Sequence, residues 1–132
     1  MSPKAARITG WVLTILLEVL LIGMSAMGKF TDWPQKEEMF GKMGFTVAQM
    51  YPIGVLEVAI ALLFLIPQTS FLAAILLTGY LGGATVTHYR VGEPVFMPVI
   101  VGIVVWIALG LRKRGVFEMA FGCTPVASPK ET

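Results

Sequence analysis

Charge is scarce in this sequence of 132 residues. Charged side chains make up 14% of the chain, against about 25% in a typical soluble domain, and hydrophobic residues make up 56%. Such a chain has too little polar surface to cover itself in water, so we expect lipid to be the solvent for most of it. The length favours a single domain, and the net charge of +2 is too small to predict a nucleic-acid partner.

Cysteine and histidine are almost missing. Cys123 is the single cysteine, so the chain can form neither an internal disulfide nor a two-thiol redox centre, and only pairing with another molecule stays open. His88 is the single histidine, which excludes a multi-histidine metal site and leaves at most one histidine ligand for haem. We therefore expect no metal site and no haem.

Long apolar runs dominate what is present. A helix needs about 20 residues to cross the hydrocarbon core of a bilayer. The runs predict four membrane spans, at approximately residues 8–29, 50–67, 70–89 and 94–112. Turn sequences at Pro67–Ser70 and Val91–Pro94 separate the last three. The predicted fold class is all-α, an integral membrane four-helix bundle forming one domain over residues 1–132.

Two segments outside the spans have their own patterns. Residues 30–50 mix aromatic and methionine side chains with charged ones, which predicts a short interfacial helix between the first and second spans, beginning at Pro34. Residues 113–132 form a tail whose beginning is partly apolar and whose end, residues 126–132, is predicted to be disordered.

The distribution of basic residues predicts the orientation. An even number of spans puts both termini on one face, and that face collects six of the ten Lys and Arg residues. Three of them form the cluster Arg112–Arg114 directly at a helix end. The positive-inside rule then places both termini and the tail in the cytoplasm. Because Glu18 interrupts the first run, we expect a retained span and no cleaved signal peptide.

Two carboxylates, Glu18 and Glu57, fall inside predicted spans. Placing one in hydrocarbon costs roughly 2.5–3.5 kcal/mol on insertion scales, so both should face the bundle interior. Glu57 lies near the outer end of its span, at a depth comparable to His88 and Arg90, which predicts a polar cluster of these three residues. For Glu57, a proton-handling role in a ligand pocket and a structural role bonded to Arg90 remain open. For Glu18, a structural role is favoured.

The third span carries small and polar residues on neighbouring stripes. Gly79 and Gly83 form a small-x-x-x-small pair that lets another helix approach closely, and Gly82 adds to it. Thr78, Gly82 and Thr85 follow each other at helical spacing towards His88. Such a stripe suits the wall of a narrow cavity, but helix packing with threonines bonded to their own backbone is the favoured interpretation.

Several segments of the chain carry a family resemblance. They are Gly28–Phe30, Tyr51–Glu57, Leu77–Ala84, Thr87–His88, Arg90–Gly92 and Trp106–Arg112. Together they resemble the DoxX-like family of small four-helix bacterial membrane proteins, over roughly residues 11–112. The resemblance implies a bacterial cytoplasmic membrane location. The positions that match the family pattern are Glu57, Gly79, Gly82, Gly83 and His88.

The resemblance implies two kinds of function. Some relatives are subunits of a membrane thiosulfate:quinone oxidoreductase, and others associate with oxidative-stress enzymes. A more distant relative is a membrane chaperone. The first hypothesis is accordingly a small-molecule-binding, quinone-linked subunit of a membrane oxidoreductase system. Its ligand-binding or proton-handling candidates are Glu57, His88, Arg90, Thr85 and Thr78.

The alternative is a non-enzymatic accessory or assembly subunit that docks on another membrane protein or on a second copy of the chain. It predicts a filled bundle, with docking through the glycine faces or residues 30–50. Whether the protein is an enzyme stays open from the sequence, and a transporter is disfavoured because the spans lack inverted repeats.

Overall fold

The computed structural model describes residues 1–122, so Cys123 and the predicted disordered end of the tail lie outside the described residues. The described part is helical and contains no strand. Its helices are α1 Pro3–Glu18, α2 Met27–Phe30, α3 Lys36–Lys42, α4 Val47–Leu65, α5 Ser70–Arg90, α6 Phe96–Arg112 and α7 Gly115–Ala120. A π-helical stretch, Val19–Ala26 (the π segment), joins α1 to α2. The predicted all-α class is confirmed.

Three helices are long and apolar enough to cross a membrane. The first span runs without interruption over Pro3–Phe30, and α4 and α5 are the second and third. The fourth, α6, is equally apolar in character but has only 17 residues. The membrane-spanning architecture is therefore confirmed, while the count of four spans stays a prediction.

Local sequence signals set the helix ends. The Ser2 hydroxyl accepts a hydrogen bond from the Ala5 amide at the start of α1. Thr46 and Gln49 form a reciprocal capping box at the start of α4. The predicted short helix between the first two spans is present as α3, but it begins at Lys36 and not at Pro34. The reason is Gln35, whose φ of 66° lies in the left-handed region and not in the region of a right-handed helix, so the helix begins at the next residue.

The spans form a closed ring. α1 packs against α6, α6 against α5, and α5 against α4. The ring is closed by α4, which packs against the π segment and α2. We call the end with the chain start and Arg112 the terminal half, and the end with residues 30–50 the loop half. The terminal half is filled by buried apolar side chains, among them Leu17, Ile60, Ala61, Phe64, Ala73, Ala74, Leu77, Val105, Ala108 and Leu109. The loop half contains a cavity.

Candidate functional site

The cavity of the loop half has a volume of about 710 Å³, within the range of about 300–1,000 Å³ that is usual for small-molecule sites. The first span, α3, α4, α5 and α6 all contribute to its walls, which are mostly apolar. Five of the eight methionines line it, namely Met24, Met39, Met43, Met50 and Met97. Since methionine side chains are flexible and polarizable, these walls can adapt to the shape of a ligand.

A buried ion pair lies in the wall of this cavity. Lys29 Nζ is 2.8 Å from Glu57 Oε2, and the two side chains are only 9% and 1% exposed. The same ammonium group donates to the carbonyl oxygen and the hydroxyl of Ser25, at 3.2 and 2.9 Å. All three ammonium protons therefore have partners, and the π segment, α2 and α4 are tied together at this point.

The other oxygen of Glu57 is free to accept a hydrogen bond. Glu57 Oε1 is buried and has no hydrogen-bond partner within residues 1–122. The phenol of Tyr80 lies within the range of a side-chain hydrogen bond to the Glu57 carboxylate, but no donor within residues 1–122 meets hydrogen-bond geometry at Oε1. Because a buried charged acceptor is costly to leave unpaired, Oε1 is a strong acceptor for a hydroxyl group placed in the cavity.

The predicted cluster of Glu57, His88 and Arg90 does not form. His88 lines the cavity, but its Nδ1 lies 3.4 Å from Glu93 Oε2, outside the pair formed by Lys29 and Glu57. Arg90 is not among the described residues that line the cavity, and its Nη2 donates to the carbonyl oxygen of Met43 at 2.8 Å. The partner of Glu57 is Lys29 of α2, which the predicted cluster did not include.

The predicted polar stripe of α5 lies elsewhere. Thr78, Gly82 and Thr85 line a second groove, of about 430 Å³, between α5 and α6. The hydroxyls of Thr78 and Thr85 donate to backbone carbonyl oxygens one turn earlier, and Trp106 Nε1 donates to Thr78 Oγ1 at 2.9 Å. These hydrogen bonds to their own helix backbone are typical of threonines in packed helices. Neither threonine lines the cavity that contains Glu57.

The three glycines of α5 make no close contact. A Cβ atom built on Gly79, Gly82 or Gly83 would meet no atom within 4 Å in the described part of the chain. Gly79 and Gly83 line the cavity and Gly82 lines the second groove. Within one chain these glycines therefore keep space open, and a helix-packing role through another molecule stays a prediction.

The second predicted carboxylate, Glu18, is the last residue of α1, two residues before Leu20, which lines the cavity. It is buried, as its cost in hydrocarbon predicts, and Arg112 is the cation that attracts it. Neither carboxylate oxygen has a hydrogen-bond partner among residues 1–122, and neither has Arg112 Nη2. Arg112 Nη1 donates to Thr14 Oγ1 and to the carbonyl oxygen of Phe64. The Arg112 guanidinium also lies 3.9 Å from the centre of the Trp11 ring. Glu18 thus belongs to the contact between the first span and α6.

Comparison with known proteins gives a single result. No curated protein and no solved structure matches the chain. The family model described as the DoxX-like family matches residues 12–109. The match includes α4, α5, most of α6, the first span from Val12 onward and all the residues that line the cavity. The chain is therefore a membrane protein that belongs to the DoxX-like family.

Proposed function

We propose that this protein is a small-molecule-binding, quinone-linked subunit of a membrane oxidoreductase system. The observation that carries the proposal is the buried pair of Lys29 and Glu57, which lies in the wall of an otherwise apolar cavity and leaves Glu57 Oε1 without a partner in residues 1–122. An open cavity supports ligand binding over the alternative of an accessory subunit, which predicts a filled bundle.

The chemistry of the pair suits a ring that carries both oxygen acceptors and hydroxyl donors. A hydroxyl of the reduced ring can donate to Glu57 Oε1, and a carbonyl of the oxidised ring can accept from the Lys29 ammonium, in place of one of its bonds to Ser25. Hydrogen bonds to charged groups contribute about 1.5–3 kcal/mol each. Glu57 would hold one of the two hydroxyl protons of the reduced ring in a hydrogen bond. A redox partner in the oxidoreductase system would exchange the electrons with the ring.

The proposal is tested by the molecules that co-purify with the protein. Wild type, Glu57→Gln and Glu18→Gln are purified in mild detergent, and the extracted small molecules are identified by mass spectrometry. Glu57→Gln keeps the shape but replaces a charged acceptor with a neutral one, so we expect about a tenfold loss of retained quinone. Glu18→Gln is the matched control and should retain the wild-type amount, because Glu18 does not line the cavity.

Two results would contradict the proposal. One is a wild-type protein that retains no quinone and no other defined small molecule. The other is equal retention by wild type and a folded Glu57→Gln variant. Either result favours the accessory subunit. That alternative predicts that the protein purifies in a stoichiometric complex with another membrane protein.

We further propose a location in the bacterial cytoplasmic membrane with both termini in the cytoplasm. The basic residues of the terminal half support it: Lys4, Arg7, Arg112, Lys113 and Arg114 all belong to that face. The only cysteine of the sequence, Cys123, follows Arg114 by nine residues and is the labelling site for the test of this orientation. A membrane-impermeant thiol reagent should label it only after the cells are permeabilised, and labelling in intact cells would reverse the orientation.

A further inference from the structure

The outer face of α1 carries a groove that lies outside the helix ring. α1 packs against α6, and its buried residues Gly10 and Thr14 face that helix. On another side of α1, residues at helical spacing from Lys4 to Leu16 line a groove of about 580 Å³. Because every described residue that lines this groove belongs to α1, the groove is open to the surroundings of the protein.

The end of the groove nearest the chain start is basic. Lys4 and Arg7 line it one helical turn apart and are exposed. Neither side chain has a hydrogen-bond or ion-pair partner among residues 1–122. Trp11 follows in the next turn, and the Arg112 guanidinium lies 3.9 Å from the centre of its ring, which adds a positive charge behind the wall of the groove. An anion placed between Lys4 and Arg7 would therefore meet two free cations.

Beyond this basic end the groove is apolar. It is lined by Ile8, Val12, Ile15 and Leu16, which are 53–60% exposed. From Ile8 to Leu16 the helix rises by about 12 Å, while one leaflet of a bilayer contains about 15 Å of hydrocarbon. The groove thus has cations at the membrane surface and apolar side chains over most of one leaflet. A phospholipid has the same order of parts, with its phosphate at the surface and its acyl chains in the hydrocarbon.

The charges of the terminal half favour an anionic headgroup over a zwitterionic one. The described basic residues of this half are Lys4, Arg7 and Arg112–Arg114. Its described carboxylates are Glu18, which is buried, and Glu118 of α7, which packs against α6 and does not line the groove. The ammonium group of a zwitterionic headgroup would meet cations here without a carboxylate in the groove. Each basic residue near the surface favours an anionic lipid by about fivefold in affinity.

We propose that the groove of α1 binds one anionic phospholipid. Its phosphate lies between Lys4 and Arg7, where the Arg7 guanidinium can donate two parallel hydrogen bonds and the Lys4 ammonium supplies a point charge. One acyl chain lies along Ile8 and Ile15, and Trp11 lies at the level where headgroup and hydrocarbon meet. The site is on the outside of the bundle and shares no lining residue with the cavity of the loop half. The inference is therefore independent of the proposed function.

Quenching of Trp11 fluorescence tests the site. The chain has three tryptophans, so replacing Trp33 and Trp106 with phenylalanine leaves Trp11 as the only reporter. The protein is placed in bilayers of phosphatidylcholine and phosphatidylglycerol, with bromine atoms on the acyl chains of one lipid at a time. Because bromine quenches tryptophan only at short range, the quenching shows which lipid occupies the groove. Arg7→Gln is compared with Lys42→Gln, which removes one positive charge from an exposed position of α3.

We expect Trp11 to report a preference for phosphatidylglycerol over phosphatidylcholine of about tenfold or more. Arg7→Gln should lower this preference by about fivefold, and Lys42→Gln by less than about twofold. Equal quenching by the two brominated lipids would overturn the site. Equal effects of Arg7→Gln and Lys42→Gln would also overturn it, because the preference would then follow the total charge of the protein and not the groove.

Native mass spectrometry repeats the comparison with all three tryptophans in place. The chain is released from micelles that contain phosphatidylglycerol, and the lipids that stay bound are counted. Wild type and Lys42→Gln should each keep one phosphatidylglycerol, while Arg7→Gln should lose most of it. Since the Arg7 side chain is exposed and has no partner in residues 1–122, its replacement should leave the fold intact. Retention by Arg7→Gln at the wild-type level would contradict the proposal.

Discussion

Replacing Glu57 with alanine is expected to lower the free energy of unfolding by about 3–5 kcal/mol, because it leaves the Lys29 ammonium buried without its carboxylate. Lys29 keeps its two bonds to Ser25, but these are to neutral groups and do not compensate the charge. The measurement is reversible unfolding in mixed micelles, with an increasing fraction of denaturing detergent.

A double variant separates the cost of an unpaired charge from the cost of lost packing. Lys29→Met with Glu57→Leu removes both charges and keeps apolar volume at both positions, so it should recover most of the stability. Lys42→Met, at an exposed position of α3, should change the free energy of unfolding by less than about 0.5 kcal/mol. If Glu57→Ala costs no more than this control, the pair is solvated and the buried charge interaction is refuted.

Gly10→Ala is expected to cost about 1–3 kcal/mol, although alanine is the better helix former. A Cβ atom at this position would lie 2.9 Å from the carbonyl oxygen of Ala108 and 2.9 Å from the amide nitrogen of Arg112. Both are backbone atoms, which cannot turn aside as a flexible side chain can. The substitution therefore separates α1 from α6, the contact that also holds the Arg112 guanidinium against Trp11 and Thr14.

The matched control for this substitution is Gly23→Ala. Gly23 lies on the same span, and a Cβ atom there would meet nothing within 4 Å in the described part of the chain. We expect its free energy of unfolding to stay the same or rise slightly, since alanine is favoured over glycine inside a helix. Equal effects at Gly10 and Gly23 would show that the close approach of α1 and α6 contributes little to stability.

Burial of the two carboxylates could be predicted from the sequence, but the partner of Glu57 could not. The cost of a charge in hydrocarbon requires Glu18 and Glu57 to face inwards, and both do. The partner depends on how the first span is rotated at its far end. Lys29 reaches Glu57 after the π segment has shifted the inward face of the helix. A prediction that treats the whole first span as a regular α-helix misses this rotation and therefore does not place Lys29 opposite Glu57.

Helical spacing in α5 shows which residues share a face, but not which face meets the cavity. Thr78, Gly82 and Thr85 do share one, as the spacing predicts, and that face lies on the groove beside α6. Gly79 and Gly83, about 100° further round the helix, line the cavity instead. Which face lines the cavity depends on which helices lie beside α5. That order of helices in the ring cannot be predicted from the local sequence of α5.

Photoaffinity labelling tests the central claim most directly. A quinone with a photoreactive group on its ring is irradiated with the protein in lipid bilayers, and the attachment sites are mapped by mass spectrometry. We predict attachment to cavity residues near the buried pair, such as Tyr80, Met50 and Leu21, and suppression by excess unlabelled quinone. Attachment spread over the lipid-facing surface, for example at Leu62, Leu72 and Ile103, and unaffected by the competitor, would contradict a quinone site in this cavity.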